Sequence, residues 1–360
     1  MEDIMKDLNS EQKEAVTYGD GPLLIIAGAG TGKTTVITKR IAWLIAEGKA
    51  KPEEILALTF TDKAAGEMEE RVDRLLPYGY VDLWISTFHA FCERVLKTHA
   101  LDIGLPPDFK LLNTTAQWLL VREHLDRFML DYYKPLGNPT KFIHALLTHF
   151  SRAKDEVVGP EEYLAYAEGL ALDKDAKDQT EEKNRLLEVA NAYHTYEQLL
   201  LENNALDFGS LINYTLKLFR ERPAILERYR EQFKYVLVDE FQDTNWAQYE
   251  LVKLLADPAN NLTVVGDDDQ SIYKFRGASV SNILQFEKDY KKTKRVVLVK
   301  NYRSAQNILD LAYAFIQANN PNRLEAAEHI VKKLEAATEE KGEIEHLHAV
   351  DLRGEVRQTL

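Results

Sequence analysis

LLIIAGAGTGKTTVITKRIAWLI, Leu23 to Ile45, runs from an apolar, β-branched stretch through a glycine-rich turn into a helical one. Strand, loop and helix in that order is the context that a phosphate-binding loop needs. Glycines let backbone N–H groups converge on phosphate oxygens, Lys33 reaches the terminal phosphates, and the Thr34 hydroxyl can hold Mg²⁺. The candidate nucleotide-binding run is therefore Ala27, Gly28, Ala29, Gly30, Thr31, Gly32, Lys33, Thr34 and Thr35. Ala27 stands where the general pattern has its first glycine, which leaves Gly28, Gly30 and Gly32 to shape the turn. The competing reading is a flexible glycine-rich turn without a ligand.

Working outward, short apolar runs alternate with amphipathic helical stretches at both ends of the chain, the pattern of a parallel α/β sheet. Strands are expected at Leu23–Ala27, Ile55–Phe60, Leu83–Ser86, Tyr235–Asp239, Leu262–Gly266 and Val296–Val299. Between about 103 and 206 the strand signals stop, and stretches such as TAQWLLVREHLDRFML and KNRLLEVANAYHTYEQLLLEN read as an inserted helical subdomain. Lys134–Pro139 and the acidic run Asp173–Glu182 read as exposed loops. The expected division is residues 1–102 and 207–300 for one α/β domain, 103–206 for the insertion, and 301–360 for the start of a second, incomplete domain. After Asn301 a long helical stretch is expected to about Glu339, with a break near Asn319–Asn322, then a strand at IEHLHAV, Ile344 to Val350, and a further helix start.

Composition narrows the function classes. Cys92 is the only cysteine among 360 residues, so neither an intrachain disulfide nor a cysteine-based zinc site is available, and a reducing, cytoplasmic setting is expected. No run of eighteen apolar residues and no apolar leader follow Met1, so no membrane partner is expected. Net charge is -13, which argues against bulk electrostatic attraction to nucleic acid and makes any such contact a matter of local placement. The charge is uneven: residues 151–204 hold 6 basic against 13 acidic residues, whereas residues 288–303 hold 7 basic against 1 acidic.

A phosphate loop needs an acid at the end of a neighbouring strand, and YVLVDEFQDT supplies Asp239 and Glu240. Asp239 suits Mg²⁺ through water, and Glu240 can orient and deprotonate an attacking water. In VVGDDDQSIYKFRGA, Gln270 can sense a terminal phosphate, while Tyr273 and Phe275 offer faces for bases and Arg276 a nearby charge. Core packing of Tyr273 and Phe275 is an equal alternative. Asp207-Phe208-Gly209 suggests a protein kinase, but no His-Arg-Asp loop precedes it, and no guanine-selecting segment supports a GTPase.

The ordered set LNSEQKEAV, AGAGTGKT, LALTFTDKAAGEM, ISTFHAFCERVL, LDFGSLI, VLVDEFQDT, GDDDQSIYKFRGA and NYRS resembles the UvrD/Rep/PcrA group of superfamily 1 DNA helicases across most of residues 8–304. The resemblance implies a RecA-like P-loop NTPase sheet with an inserted helical subdomain, ATP and Mg²⁺ as cofactors, and 3′ to 5′ movement along DNA in repair or replication. It implies that Gln12 contacts the adenine, although Asn9-x-x-Gln12 reads equally as a capping box, and the two roles are compatible. Tyr302 would stack on the base, and Arg303 would reach the γ-phosphate, joining Lys33, Glu240 and Gln270 in catalysis.

The same resemblance assigns Thr59, Phe60, Thr61, Lys63, Thr87 and His89, with Tyr273, Phe275 and Arg276, to single-stranded DNA, with Phe88 as readily core as contact. Phe275 replaces the family's usual Trp, so weaker stacking is expected there. Later motifs, including a second arginine finger, are missing. The expected partners are therefore single-stranded DNA and its junctions with duplex, repair or replication proteins, and the rest of a second motor domain in cis or on another chain. A helicase–nuclease half and a non-enzymatic binding module are the alternatives, the latter disfavoured by intact Lys33, Asp239, Glu240, Gln270 and Arg303.

Overall fold

A computed structural model describes residues 2–76, 83–170, 177–271, 281–321, 323–345 and 347–359. Its centre is a six-stranded sheet of β1 (Leu23–Ala27), β2 (Ile55–Thr59), β3 (Trp84–Thr87), β4 (Tyr235–Val238), β5 (Leu262–Gly266) and β6 (Lys294–Leu298), in the order β3-β2-β4-β5-β1-β6. Every pairing is parallel. The principal helices are α1 (Ser10–Thr17), α2 (Lys33–Ala46), α3 (Asp62–Leu75), α4 (Phe88–His99), α5 (Ile143–Asp155), α6 (Lys177–Glu202), α7 (Phe208–Glu221), α8 (Trp246–Ala256) and α9 (Gln306–Ile316).

The central strands are apolar throughout because helices cover both faces. Alternation of side chains sends Leu24, Ile26, Leu56, Leu58, Val236, Val238 and Val264 into one core with α4, α7 and α8. Leu23, Ile25, Ala27, Ile55, Ala57, Leu237 and Val265 enter the opposite core with α1, α2 and α3. Each fully buried Leu or Ile side chain contributes about 1.5–3 kcal/mol. The register sets Thr59 beside Thr87, Leu58 beside Val238, Ile26 beside Gly266 and Ala27 beside Leu298, so the strands reach one common carboxyl edge. Open parallel sheets bind ligands at that edge.

Helices Thr114–Glu123, α5, Pro160–Gly169 and α6 occupy the middle of the chain and build a third core around Phe150, Tyr193, Tyr196 and Leu199. A two-residue parallel pairing of Lys110–Leu111 with Ala205–Leu206 brings the ends of this stretch together. The buried Lys154 ammonium fastens α5 to α7 through Asp207 at 2.7 Å, Ser210 at 2.9 Å and the α6 carboxylate of Glu197 at 2.6 Å. Burial works against this charge, and the two carboxylates outweigh it, so Lys154 stays protonated well above the usual lysine range.

Several sequence expectations are corrected. The first helix of the middle stretch stops at Glu123, with turns from His124 onward. Lys177–Glu182 belongs to α6 and is not loop, and Asp173 to Ala176 lies outside the described residues. The stretch after Asn301 is not one long helix: α9 ends at Ile316, a short 3-10 turn covers Gln317–Asn319, and only Leu324–Ala327 is helical again before Glu335. The expected break near Asn319–Asn322 is present, and Pro321 explains it, since it lacks an N–H and disfavours helical backbone at Asn320. Among the described residues of Ile344–Val350 there is no strand; the short strand is Glu335–Ala336, parallel to Lys300–Asn301. The expected terminal helix is present at Leu352–Thr359.

Candidate nucleotide and nucleic-acid site

The loop between β1 and α2 takes its shape from two left-handed positions. Gly30 has φ 74° and Gly32 φ 92°, backbone that L side chains rarely adopt. Space forbids a side chain as well: a Cβ on Gly30 would lie 2.7 Å from Arg303 and Asn301, and one on Gly32 would lie 2.9 Å from the Gln12 amide. Thr31 is buried and donates its hydroxyl to the Gly28 carbonyl at 2.8 Å. No side chain caps α2 at Gly32, so its first N–H groups face the place where an anion gains from them.

Lys33, the first residue of α2, is almost fully buried. Its Nζ donates to Gln270 Oε1 at 3.1 Å and lies 3.5 Å from Glu240 Oε2. Groups from the ends of three strands thus meet at one ammonium. Glu240 adopts left-handed backbone, φ 49° and ψ 45°, and its carboxylate accepts from Gln242 Nε2 at 2.7 Å. Burial, then the Glu240 charge, pushes Asp239 up to about 7, opposed by the Glu240 N–H, the Lys33 charge and the Thr34 hydroxyl. A buried carboxylate in contact with a hydroxyl at the head of a phosphate loop, and uncomfortable without a cation, fits Mg²⁺.

The other wall is made by α1 and the turn after Lys300–Asn301. The Asn9/Gln12 capping box is present, and the same Gln12 amide donates to the Thr31 carbonyl at 2.9 Å. Gln12 therefore both starts α1 and touches the loop. Arg40 locks α1 in place, giving hydrogen bonds to the carbonyls of Ala15, Val16, Tyr18 and Gly19 and to the Thr263 hydroxyl. Half-exposed Tyr302 accepts from Asn9 at 3.2 Å and donates its N–H to the Gly30 carbonyl at 2.9 Å. Arg303 is exposed beside the loop, and among the described residues its guanidinium has no ion-pair partner.

The residues assigned to single-stranded DNA lie on the carboxyl edge at β2 and β3. Thr59 is fully buried, and its hydroxyl has no hydrogen-bond partner among the described residues. Thr61 and Thr87 cap α3 and α4 by accepting from Ala64 and Ala90 at 3.1 and 3.3 Å. These hydroxyls therefore have structural work, and Thr59 does not reach the surface here. Lys63 is exposed, near Glu67, and Phe60 is half-buried. Phe88 is core. His89 packs edge-to-face on Phe208 with ring centroids 5.3 Å apart, and burial holds its pKa below the usual imidazole value against Asp62 and Asp207. Tyr273, Phe275 and Arg276 lie outside the described residues.

Three contributors are absent from the sequence reading. Asn301 binds the loop from a distant strand, Gln242 bridges Glu240 and the Asp267 N–H, and Phe208 presents an exposed ring beside His89. Asn301 and Gln242 sit inside recognised motifs but carry no charge or nucleophile that marks them. Phe208 had one signal, an aromatic at a helix start next to the Asp207 cap.

The family model described as the UvrD/REP helicase N-terminal domain matches residues 8–291. The chain is similar to the ATP-dependent DNA helicase PcrA of Bacillus subtilis (strain 168), with 46% identity over 321 residues, 89% of this chain and 40% of that protein. It is 44% identical to the Staphylococcus epidermidis (strain ATCC 12228 / FDA PCI 1200) PcrA over 323 residues, 90% of this chain and 42% of that one. For the Leuconostoc citreum PcrA the identity is 43% over 337 residues, 93% of this chain and 41% of that one. The chain thus spans about two fifths of the length of the curated relatives it matches.

Proposed function

The chain belongs to the UvrD/REP helicase family, and on that premise we propose that it carries the ATP-hydrolysing motor of an ATP-dependent DNA helicase moving 3′ to 5′ on single-stranded DNA. In this reading residues 1–102 and 207–300 form the first motor domain, 103–206 its helical insertion and 301–360 the start of the second. The protein would act in the cytoplasm, in repair or replication.

The observation that carries this reading is the meeting of Glu240 and Gln270 at the Lys33 ammonium, at the head of a loop shaped by left-handed glycines. With nucleotide bound, Lys33 exchanges Glu240 for phosphate oxygens, and the released carboxylate orients the attacking water and takes its proton. Gln270 reads the terminal phosphate. Arg303, whose N–H is held by the Asn301 side chain that also binds the loop, adds positive charge where negative charge develops. Thr34 and Asp239 would hold Mg²⁺, which when bound neutralises charge on the phosphate oxygens. Tyr302 and Gln12 flank the base side. Lys63, Phe60, His89 and Phe208 lie on the same carboxyl edge, which suits a strand of DNA crossing above the nucleotide.

Phosphate release from Mg-ATP by this chain, with and without a single-stranded oligonucleotide, tests the proposal. Stimulation by the oligonucleotide supports it. Failure to bind either ATP or ADP in a direct titration overturns it.

A further inference from the structure

Asp267, Asp268 and Asp269 follow β5 with ligand oxygens all within 4.8 Å of one another. That spacing suits a metal ion, yet the chain supplies its own cation. Lys332 Nζ donates to Asp267 Oδ1 at 2.9 Å, to Asp269 Oδ2 at 3.0 Å and to Asp268 Oδ1. Arg323 grips Asp269 with two bonds of 2.7 Å, and the Leu324 N–H donates to Asp268 Oδ2 at 2.7 Å. Burial works against the Lys332 charge and the three carboxylates outweigh it, so it stays protonated above the usual lysine range.

One of these acids also faces the nucleotide site. Asp267 Oδ2 accepts from Gln270 Nε2 at 2.6 Å, and Gln270 Oε1 accepts from Lys33 at 3.1 Å. A single carboxylate therefore receives Lys332 on one oxygen and Gln270 on the other. Two residues further on, Leu334 covers the phosphate loop so closely that a Cβ on Gly28 would lie 2.8 Å from it. Lys332 is distant in sequence from both, beyond the matched span of residues 8–291.

We propose that Lys332 is a positioning residue for the terminal-phosphate sensor: through Asp267 it fixes the orientation of the Gln270 amide above Lys33. The inference rests on the functional reading above, because a sensor presupposes nucleotide at Lys33. Without the ammonium, three adjacent carboxylates repel, Asp267 turns, and the Gln270 amide loses the partner that selects its orientation. ADP presents no terminal phosphate to Gln270, so its affinity is independent of this relay.

The test is titration of the whole chain with ADP and with a non-hydrolysable ATP analogue, comparing wild type with Lys332→Met, Lys332→Arg and Arg323→Met. Loss of one hydrogen bond to a charged group predicts about tenfold weaker binding of the ATP analogue to Lys332→Met, with ADP affinity within about twofold. Lys332→Arg is expected to restore most of the preference. Arg323→Met, which touches Asp269 but not Asp267, is expected to keep it. Asp267→Asn should lower the same preference, and it serves as the deciding variant if Lys332→Met does not fold. An unchanged preference in Lys332→Met, or equal loss of both nucleotides together with a lower melting temperature, overturns the proposal alone. A wild-type chain that binds neither nucleotide overturns the functional reading itself.

Discussion

The Asn301 side-chain amide donates to the Ala29 carbonyl at 2.5 Å, which joins the phosphate loop to the turn that carries Tyr302 and Arg303. The Asn301 carbonyl oxygen accepts the backbone N–H groups of Arg303 and Ser304, each at 2.8 Å. Asn301→Ala removes the tie and leaves these groups without their partner. An unmade buried hydrogen bond costs about 1–3 kcal/mol, so nucleotide affinity is expected to fall by roughly tenfold in a binding titration.

Glu240 lies 3.5 Å from the Lys33 ammonium and accepts from Gln242, contacts that a glutamine of the same shape largely keeps. Glu240→Gln is therefore expected to bind ATP as well as wild type while phosphate release falls by about 10²–10⁴-fold, the usual worth of a positioned base. Lost binding would instead make Glu240 a structural residue or a direct metal ligand.

Charge reversal separates the two ends of β2. Lys63, exposed just after its carboxyl end, lies on the proposed DNA side, and Lys51, exposed before its amino end, lies opposite. Lys63→Glu should weaken binding of a single-stranded oligonucleotide several-fold and reduce its salt dependence by about one phosphate contact. Lys51→Glu should leave both near wild type. Equal effects would remove the DNA track from this edge.

The buried Lys154 ammonium is the joint between α5, α6 and α7. Lys154→Met strands the carboxylates of Asp207 and Glu197 in the interior, a loss of about 3–5 kcal/mol. Thermal melting should show the destabilisation, and Lys154→Met/Asp207→Asn/Glu197→Gln should recover part of it.

Asp155 accepts from Asn245 at 2.6 Å, and burial, reinforced by Glu156, pushes its pKa from 3.8 up to about 7. An acid with a raised pKa in the folded protein stabilises it fully below the unfolded value, and that contribution is lost as pH rises from near 4 towards about 7. Asp155→Asn is expected to gain stability relative to wild type as pH increases through this window, by up to about 1.4 kcal/mol per pH unit. Urea unfolding at pH 5 and pH 8 measures the difference.

The six strands were legible because each is a short, nearly unbroken apolar run between polar turns, and their ends shifted by no more than two residues. Lys33, Asp239, Glu240 and Gln270 are legible because each lies in a polar segment within a few residues of the end of an apolar strand. After Asn301 the expected break near Asn319–Asn322 and the terminal helix are present, but the helix expected on to Glu339 is not: its apolar residues keep helical spacing, and the ionic pull of Asp267, Asp268 and Asp269 on Arg323 and Lys332 overrides that local preference. Thr59 lies within a motif that the sequence shows, but its burial depends on what packs above the strand, which local pattern does not encode.

The sequence by itself determined the parallel sheet, the phosphate loop and the identity of the acids, since all three rest on local pattern and near-neighbour chemistry. Only the tertiary structure decided which groups meet. Gln12 touches Thr31, Asn301 reaches Ala29, and Lys332 holds the carboxylate that orients Gln270. These partners are far apart along the chain, and no local preference encodes their distance. Closing the parallel sheet brings its carboxyl edge together, and the low-dielectric interior then favours pairing of the buried polar groups that come within reach of one another.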